Sequence, residues 1–368
     1  MKVLIVFGTR PEAIKMCPLV IEINKHPGME CVVCVTGQHK EMLRQAMEAF
    51  GVVEDYNLDI MRQRQSLASI TTNTLIGMED VLEKENPDIV LVHGDTTTAM
   101  AAAMSAFYKK IPVGHVEAGL RTGNMYSPYP EEMNRIIIDR LSTYLFAPTE
   151  ANCKNLKKEN ICENVYVTGN TVIDSFKYTV KEDYTFCEAK LNQIDFNKKV
   201  IVVTAHRREN WGDPLENICF AINQIAHMNR DVVVVYPVHL NPIVRSVVYR
   251  YLDKIDNVIL TEPLNVVDMH NLISKSYLIL TDSGGLQEEA PAFGKPVLVL
   301  RNDTERPEAV EAGTAKIIGT NSYSIVKEVT NMIHESALYK NMSLSINPYG
   351  DGNASKNIVK IIGQDIWQ

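Results

Sequence analysis

The sequence predicts an α/β protein of two similar doubly wound domains, each a parallel sheet covered by helices. Three observations lead there. The chain has 368 residues, more than one ordinary core holds, so about two domains are expected, with a cleft between them. Short runs rich in Val, Ile and Leu recur at 3–7, 31–35, 89–92, 113–116, 200–203, 232–236, 278–280 and 297–300. Helical stretches at 12–24, 40–50, 66–83, 97–107, 214–226 and 285–293 separate most of them. Strands buried on both faces that alternate with helices belong to parallel sheets. The two halves also repeat one design, which is the third observation.

Each half opens with a strand that runs into a basic turn, VLIVFGTRPE at 3–12 and VIVVTAHRREN at 200–210. Each later shows a strand, a polar turn, a helix of small residues and a strand led by Pro: DIVLVHGDTTTAM then IPVGHVEAG, and YLILTDSGGLQEEA then KPVLVLR. The division falls at about residue 170, giving a first domain over 1–170 and a second over 171–353. The polar, Lys-rich segment 174–199 carries the linker and a helix of the second domain. After NPYGDGN at 347–353, residues 355–362 form a short amphipathic helix capped by Asn353 or Ser355.

Composition narrows the function. Hydrophobic residues make up 45% and charged residues 22%, a globular balance that excludes disordered, fibrous and coiled-coil classes. A net charge of −8 opposes a nucleic-acid partner, which needs a basic face. Without a signal-peptide core or an apolar run long enough for a membrane span, no membrane association is expected and the compartment reads as cytoplasmic. The seven scattered cysteines fit free thiols in reducing surroundings. Cys31 and Cys34 stand three apart on one strand, on opposite faces, and so cannot share a metal. No HExxH, paired CxxC or acidic metal cluster occurs, and no G-x-G-x-x-G follows the first strand, so neither a metal nor a nicotinamide cofactor is expected.

In open parallel sheets, ligands bind beyond the carboxyl ends of the strands. That rule selects 8–10, 93–98, 117–121, 206–210 and 282–289. Ser283, Gly284 and Gly285 precede a helix, and two glycines let a phosphate approach backbone N–H groups at its positive end. Glu288 or Glu289, a turn further on, could accept from ribose hydroxyls. A helix dipole contributes only ~0.3–1 kcal/mol, whereas a cation at about 4 Å contributes ~4 kcal/mol at an effective dielectric of about 20. An arginine should therefore assist, and Arg10 is the first candidate. Asp95 and Glu117 follow strands of the first domain. Glu131 opens a helix carrying Arg135, and helical spacing lets the two share a face. His93, His115 and His239 read as structural; His206, within HRREN, is better placed for chemistry.

Nine blocks in order, GTRPEAIKMCPL, TGQHKEM, VHGDTTTAMAAA, HVEAGLRTG, PYPEEMNR, TAHRREN, TDSGGLQEEAP, RPEAVEAGT and NPYGDGNAS, run nearly end to end. Together they resemble the non-hydrolysing UDP-N-acetylglucosamine 2-epimerase family. Cys17 and Trp211 depart from its usual pattern without touching the proposed chemistry. The resemblance implies a GT-B fold, two Rossmann-like domains with a final helix, 354–368, returning to the first and a UDP-binding second domain. It implies reversible conversion of UDP-GlcNAc to UDP-ManNAc in a homodimer, through elimination of UDP to 2-acetamidoglucal and re-addition, feeding cell-envelope polysaccharide. It also assigns roles: Asp95 and Glu131 share the proton transfers, Glu117 supports them or the sugar, Arg10, Lys15, Arg135 and His206 stabilise the sugar diphosphate, and Ser283, Gly284, Gly285 and Glu289 hold phosphate and ribose. An activating second UDP-GlcNAc would meet Gln38, Glu41, Arg64, Arg207 and His239. The competing readings are a GT-B glycosyltransferase, a hydrolysing epimerase and a non-catalytic UDP-sugar sensor.

Overall fold

The computed structural model describes residues 1–37, 40–62 and 65–364. Gln38 and Arg64 lie outside the described residues. The chain divides into two compact units, Met1–Tyr178 with Tyr349–Gln368, and Thr179–Pro348.

The first unit holds a seven-stranded parallel sheet with the order β3-β2-β1-β4-β5-β6-β7. Its strands are β1 (Lys2–Phe7), β2 (Glu30–Val35), β3 (Tyr56–Asn57), β4 (Ile89–His93), β5 (Val113–Val116), β6 (Tyr144–Ala147) and β7 (Val165–Val167). The helices are α1 (Arg10–Asn24), α2 (Lys40–Phe50), α3 (Leu67–Glu85), α4 (Thr97–Tyr108), α5 (Glu131–Leu141), α6 (Glu150–Lys158) and α7 (Thr171–Thr179). Strand alternation sorts the apolar side chains between two cores. Val3, Ile5 and Phe7 pack with α1 and α2, whereas Leu4 and Val6 pack with α3 and α4. Cys31 joins the first cluster and Cys34 the second, as opposite-facing positions on β2 require.

The second unit repeats the plan with six parallel strands in the order β10-β9-β8-β11-β12-β13. They are β8 (Lys199–Thr204), β9 (Val232–Pro237), β10 (Val258–Thr261), β11 (Leu278–Thr281), β12 (Val297–Val299) and β13 (Ala315–Ile317). Helices α8 (Asp213–Met228), α9 (Pro242–Leu252), α10 (Val266–Lys275), α11 (Gly284–Glu289), α12 (Pro307–Glu311), α13 (Ser322–His334) and α14 (Ser336–Ser343) surround them. The helix expected over 285–293 is divided: α11 ends at Glu289 and a 3-10 turn, Ala290–Phe293, follows. Pro291 has no N–H to continue the α-helical ladder. Both sheets reverse direction of strand order beside their first strand, at β1/β4 and at β8/β11. The chain thus has two Rossmann-like domains of the GT-B class, and each reversal opens a crevice at the carboxyl ends of its strands.

The segment after residue 170 differs from the sequence expectation. Helix α7 belongs to the first unit, and the chain leaves that unit only after Tyr178. It returns at Tyr349, whose carbonyl accepts from the Asn170 N–H at 2.8 Å. The last helix, α15 (Ala354–Gly363), sends Ile358, Val359 and Ile362 into the core shared with β1 and α1. Neither Asn353 nor Ser355 caps it: Asn353 occupies the cap position without a side-chain bond. Asp174 of α7 does so instead, its two carboxylate oxygens accepting from Ala354 N–H at 3.1 Å and Ser355 N–H at 2.9 Å. A carboxylate at a helix N-terminus meets both orphaned donors and the positive end of the dipole.

Replacing Asp174 with Ala should therefore loosen α15 selectively. Loss of a helix cap costs about 0.5–2 kcal/mol. Hydrogen exchange should accelerate at Ala354 and Ser355 and along α15, with a lower melting temperature; unchanged protection of both amides would contradict this role.

Candidate active site

The crevice of the first unit is built on Gly8, Thr9 and Arg10 after β1 and on Gly94 and Asp95 after β4. A Cβ on Gly8 would stand 1.9 Å from Thr36 Oγ1, so only glycine lets the turn pass. Thr9 caps α1 in a reciprocal box with Glu12. The Glu12 carboxylate, 3% exposed, accepts from the N–H groups of Gly8 at 3.0 Å and Thr9 at 2.7 Å. Its other oxygen accepts from Thr96 Oγ1 at 2.8 Å, and Thr96 caps α4. One side chain thereby joins the turns on both sides of the strand-order reversal. Arg10 is the first residue of α1.

Lys15, further along α1 and buried, forms an ion pair with Glu117. Glu117 follows β5 in a left-handed conformation, φ +72°, which is held because its N–H and that of Ala118 both donate to Phe146 O. Gly94, φ +67°, has its missing Cβ 3.8 Å from Glu117 Oε1. Beneath this turn lies a fully buried support: His115 Nδ1 contacts Asp139 Oδ1 at 2.6 Å and His115 Nε2 meets Gly94 O at 2.8 Å. Burial alone would raise the Asp139 carboxyl, but His115 and Arg121 beside it hold it below the usual carboxylate range. His115 is structural, as the sequence suggested.

Asp95 is held through one oxygen. Arg135 donates to Oδ2 from Nε at 2.9 Å and from Nη2 at 2.6 Å. Oδ1 has no hydrogen-bond partner among the described residues, and the side chain is 25% exposed. Arg135 does not pair with Glu131, as spacing allowed; its Nη1 donates to Glu132 Oε2 at 3.0 Å. Glu132 is turned inward because its carboxylate also accepts from Thr122 N–H and Gly123 N–H at 3.0 Å each. The Glu131 side chain, half-buried in the first turn of α5, forms no hydrogen bond or ion pair among the described residues.

In the second unit the loops after β8 and β11 are joined by Asp282. Its Oδ2 accepts from His206 N–H and Arg207 N–H at 2.8 Å each and from Asn210 Nδ2 at 3.0 Å. The His206 ring lies against that of His239, with centroids 5.0 Å apart. Burial pushes the His206 pKa below its ordinary value; Asp282 opposes this and His239 and Arg207 reinforce it. Ser283 stands at the N-cap of α11 without a side-chain cap bond. A Cβ on Gly284 would lie 3.7 Å from Arg207 Nη2 and 3.9 Å from Arg306 Nη2. Two guanidinium groups therefore flank the helix start, which suits an anion.

Arg207 also donates to Glu305 at 2.9 Å, and Arg301 stands 3.6 Å from the same oxygen. Burial would raise the Glu305 carboxyl, but Arg207 foremost, with Arg306 and Arg301, holds it low. Of the two acids left open for ribose, Glu288 is paired with Arg306. Glu289 approaches His270 Nε2 at 3.7 Å, and its Oε1 lies 3.4 Å from the Cβ position that Gly285 leaves empty.

Among the residues assigned to a second nucleotide sugar, Arg207 and His239 adjoin His206, while Glu41 is exposed in the first turn of α2. Glu12 and Glu132 were given no role by the sequence, whereas Asp282 falls in the strand end that it selected and Arg306 is among its basic residues near a motif. The T-x-x-E spacing of Thr9 and Glu12 is a capping-box signature and could have revealed the first of them.

The sequence matches the family model described as UDP-N-acetylglucosamine 2-epimerase over residues 21–363. The chain belongs to this family. The UDP-N-acetylglucosamine 2-epimerase of Bacillus subtilis (strain 168) is 52% identical over 361 residues, spanning 98% of this chain and 94% of that protein. The structure of UDP-GlcNAc 2-epimerase from Neisseria meningitidis bound to UDP-GlcNAc is similar with a TM-score of 0.90 and 50% identity, covering 98% and 99% of the two chains. A UDP-GlcNAc 2-epimerase from Methanocaldococcus jannaschii, in complex with UDP-GlcNAc and UDP, gives a TM-score of 0.81 at 34% identity, covering 98% and 99%. Membership of the epimerase family makes the carboxylates of the first unit and the cation-flanked turn of the second the features to explain.

The half-buried His206 loses its proton at a lower pH in the fold than in the unfolded chain. Its contribution to stability is accordingly complete above about 6.5 and is lost as pH falls through the lowered folded value. An NMR titration of the His206 ring should give a midpoint below 6.5, and His239→Ala should raise it. A midpoint at or above the ordinary imidazole value would contradict the burial argument.

Proposed function

We propose that this chain interconverts UDP-N-acetylglucosamine and UDP-N-acetylmannosamine reversibly and without hydrolysing either. The observation that carries the reading is Asp95: one oxygen is anchored by Arg135 while the other is left able to take or give a proton. The C2 proton of the sugar has no neighbouring carbonyl to acidify it, so direct removal and return is unfavourable. Elimination solves this. A base takes the C2 proton, the C–H electron pair becomes the C1=C2 bond of 2-acetamidoglucal, and the C1–O pair leaves with UDP. UDP then adds back at C1 as C2 receives a proton on its opposite face.

This sequence needs two proton-handling groups and a site that retains the departing diphosphate. Asp95 and Glu131 share the transfers, and Glu117 supports the sugar or the same proton chain. Arg10, Lys15, Arg135 and His206 stabilise the sugar diphosphate. Ser283, Gly284, Gly285 and Glu289 hold phosphate and ribose, a role supported by the two guanidinium groups beside Gly284. Arg207 and His239, adjoining His206, belong with Glu41, Gln38 and Arg64 to an activating UDP-GlcNAc. The enzyme works as a cytoplasmic homodimer, and its product supplies ManNAc for cell-envelope polysaccharide.

Incubation of the protein with UDP-GlcNAc in heavy water, followed by NMR, should place deuterium at C2 of intact UDP-sugar. Free sugar would instead indicate hydrolysis, and dependence on an acceptor would indicate transfer. Asp95→Asn should lower kcat by about 10²–10⁴-fold with the Kd for UDP nearly unchanged; a near-normal rate would remove Asp95 from the chemistry. With UDP-ManNAc alone the reaction should be slow and should accelerate on addition of trace UDP-GlcNAc. Unstimulated hyperbolic kinetics would remove the activating site.

A further inference from the structure

His93 closes β4 and is buried, yet neither ring nitrogen has a hydrogen-bond partner among the described residues. His115, on the adjacent strand, is the contrast: both of its nitrogens are engaged, by Asp139 and by Gly94 O. A buried imidazole without partners pays the desolvation of a donor and an acceptor, so a task is to be sought for it. The polar group it faces is Glu117. His93 Nε2 lies 3.5 Å from Glu117 Oε2, too far for a well-formed hydrogen bond. The same Glu117 oxygen is paired with Lys15.

The proposed function gives Lys15 a second employment, at the sugar diphosphate. Turning Lys15 away takes a cation from a carboxylate whose side chain is only 11% exposed. A donor at the oxygen that the ammonium leaves would offset part of that loss. His93 is placed to be that donor. β4 and β5 are paired with His93 opposite Val116, so Glu117, the residue that follows β5, is carried beside the end of β4. Closing their gap to a hydrogen bond of about 2.9 Å needs side-chain movement alone.

We infer that His93 is a positioning residue for Glu117: as Lys15 turns to the diphosphate, Nε2–H of His93 closes on Glu117 Oε2 and keeps that carboxylate in place. This rests on the roles proposed for Lys15 and Glu117.

The handover can be read without turnover. In ¹⁵N-labelled protein, saturating UDP should move the His93 Nε2–H signal to a hydrogen-bonded position, and Lys15→Met should produce the same change with no UDP present. An Nε2 signal indifferent to both would overturn the inference. Kinetics supply a second readout. His93→Phe should lower kcat about tenfold while KM and the Kd for UDP stay within about twofold, and His93→Gln, which keeps an N–H donor, should recover part of the loss. A His93→Phe enzyme with normal kcat, or one that loses only substrate affinity, would also overturn it. Glu117→Gln with a normal rate would sink the proposed role of Glu117 instead, and the His93 signal distinguishes that failure from this one. If His93→Phe does not fold, the spectra of the wild-type and Lys15→Met proteins decide.

Discussion

A loop leaving the end of a parallel strand carries backbone N–H groups that have no ladder to join, and in this protein buried carboxylates take them in consecutive pairs. Glu12 accepts from Gly8 and Thr9, Glu132 from Thr122 and Gly123, and Asp282 from His206 and Arg207. Asp174 does the same for Ala354 and Ser355, and Asp268 for Cys187 and Glu188. Bonds to a charged acceptor contribute about 1.5–3 kcal/mol each, roughly twice neutral ones. Removing one such carboxylate strands two amides at once. Three of the five pin loops beside a strand-order reversal or beside the helix that opens with Glu131, so the shape of both candidate crevices depends on them.

The same arrangement separates charges that hold the site from charges available to a substrate. Glu132 is saturated by two amides and Arg135, and that fixes Arg135 where it grips Asp95 through a single oxygen. Asp139 is saturated by His115, Arg121 and the Gly119 N–H, which in turn fixes the Gly94 carbonyl and the turn that carries Asp95. In the second unit, Asp282 sets the backbone of His206 and Arg207 while the Arg207 guanidinium reaches toward Gly284. Donors and acceptors aimed in advance need no reorganisation when charge develops on a leaving group, and this preorganisation is what a site must offer a departing diphosphate.

Strands with both faces buried were legible in the sequence because unbroken Val, Ile and Leu runs between polar turns have few other readings. Five strands were not: β3, β6, β7 and β13 span two to four residues each and hold no such run, and β10 was passed over although Val258–Leu260 is one. Their pairing comes from the sheet already formed beside them. The carboxylates after β4 and β5 and the glycine pair after β11 were legible from the rule that ligands bind at strand ends. The partner of Arg135 was not. Glu131 and Glu132 both lie within one helical turn of it, so spacing permits either, and the choice fell to Glu132 because the Thr122–Gly123 amides draw that carboxylate inward.

The sequence by itself determined the class of fold, the repetition of one design in two domains, the family, and the strand ends at which chemistry is to be sought. Hydrophobic periodicity and turn composition act over a few residues, and they survive without knowledge of distant contacts. Only the tertiary structure decided which charges meet: Lys15 with Glu117, Arg135 with Asp95, Arg306 with Glu288, and His93, among the described residues, with a carboxylate 3.5 Å away and no hydrogen-bond partner. Those pairings join residues far apart in the chain. They depend on strand order, on which sheet face a helix covers and on which buried amides lack a partner, none of which a linear spacing encodes.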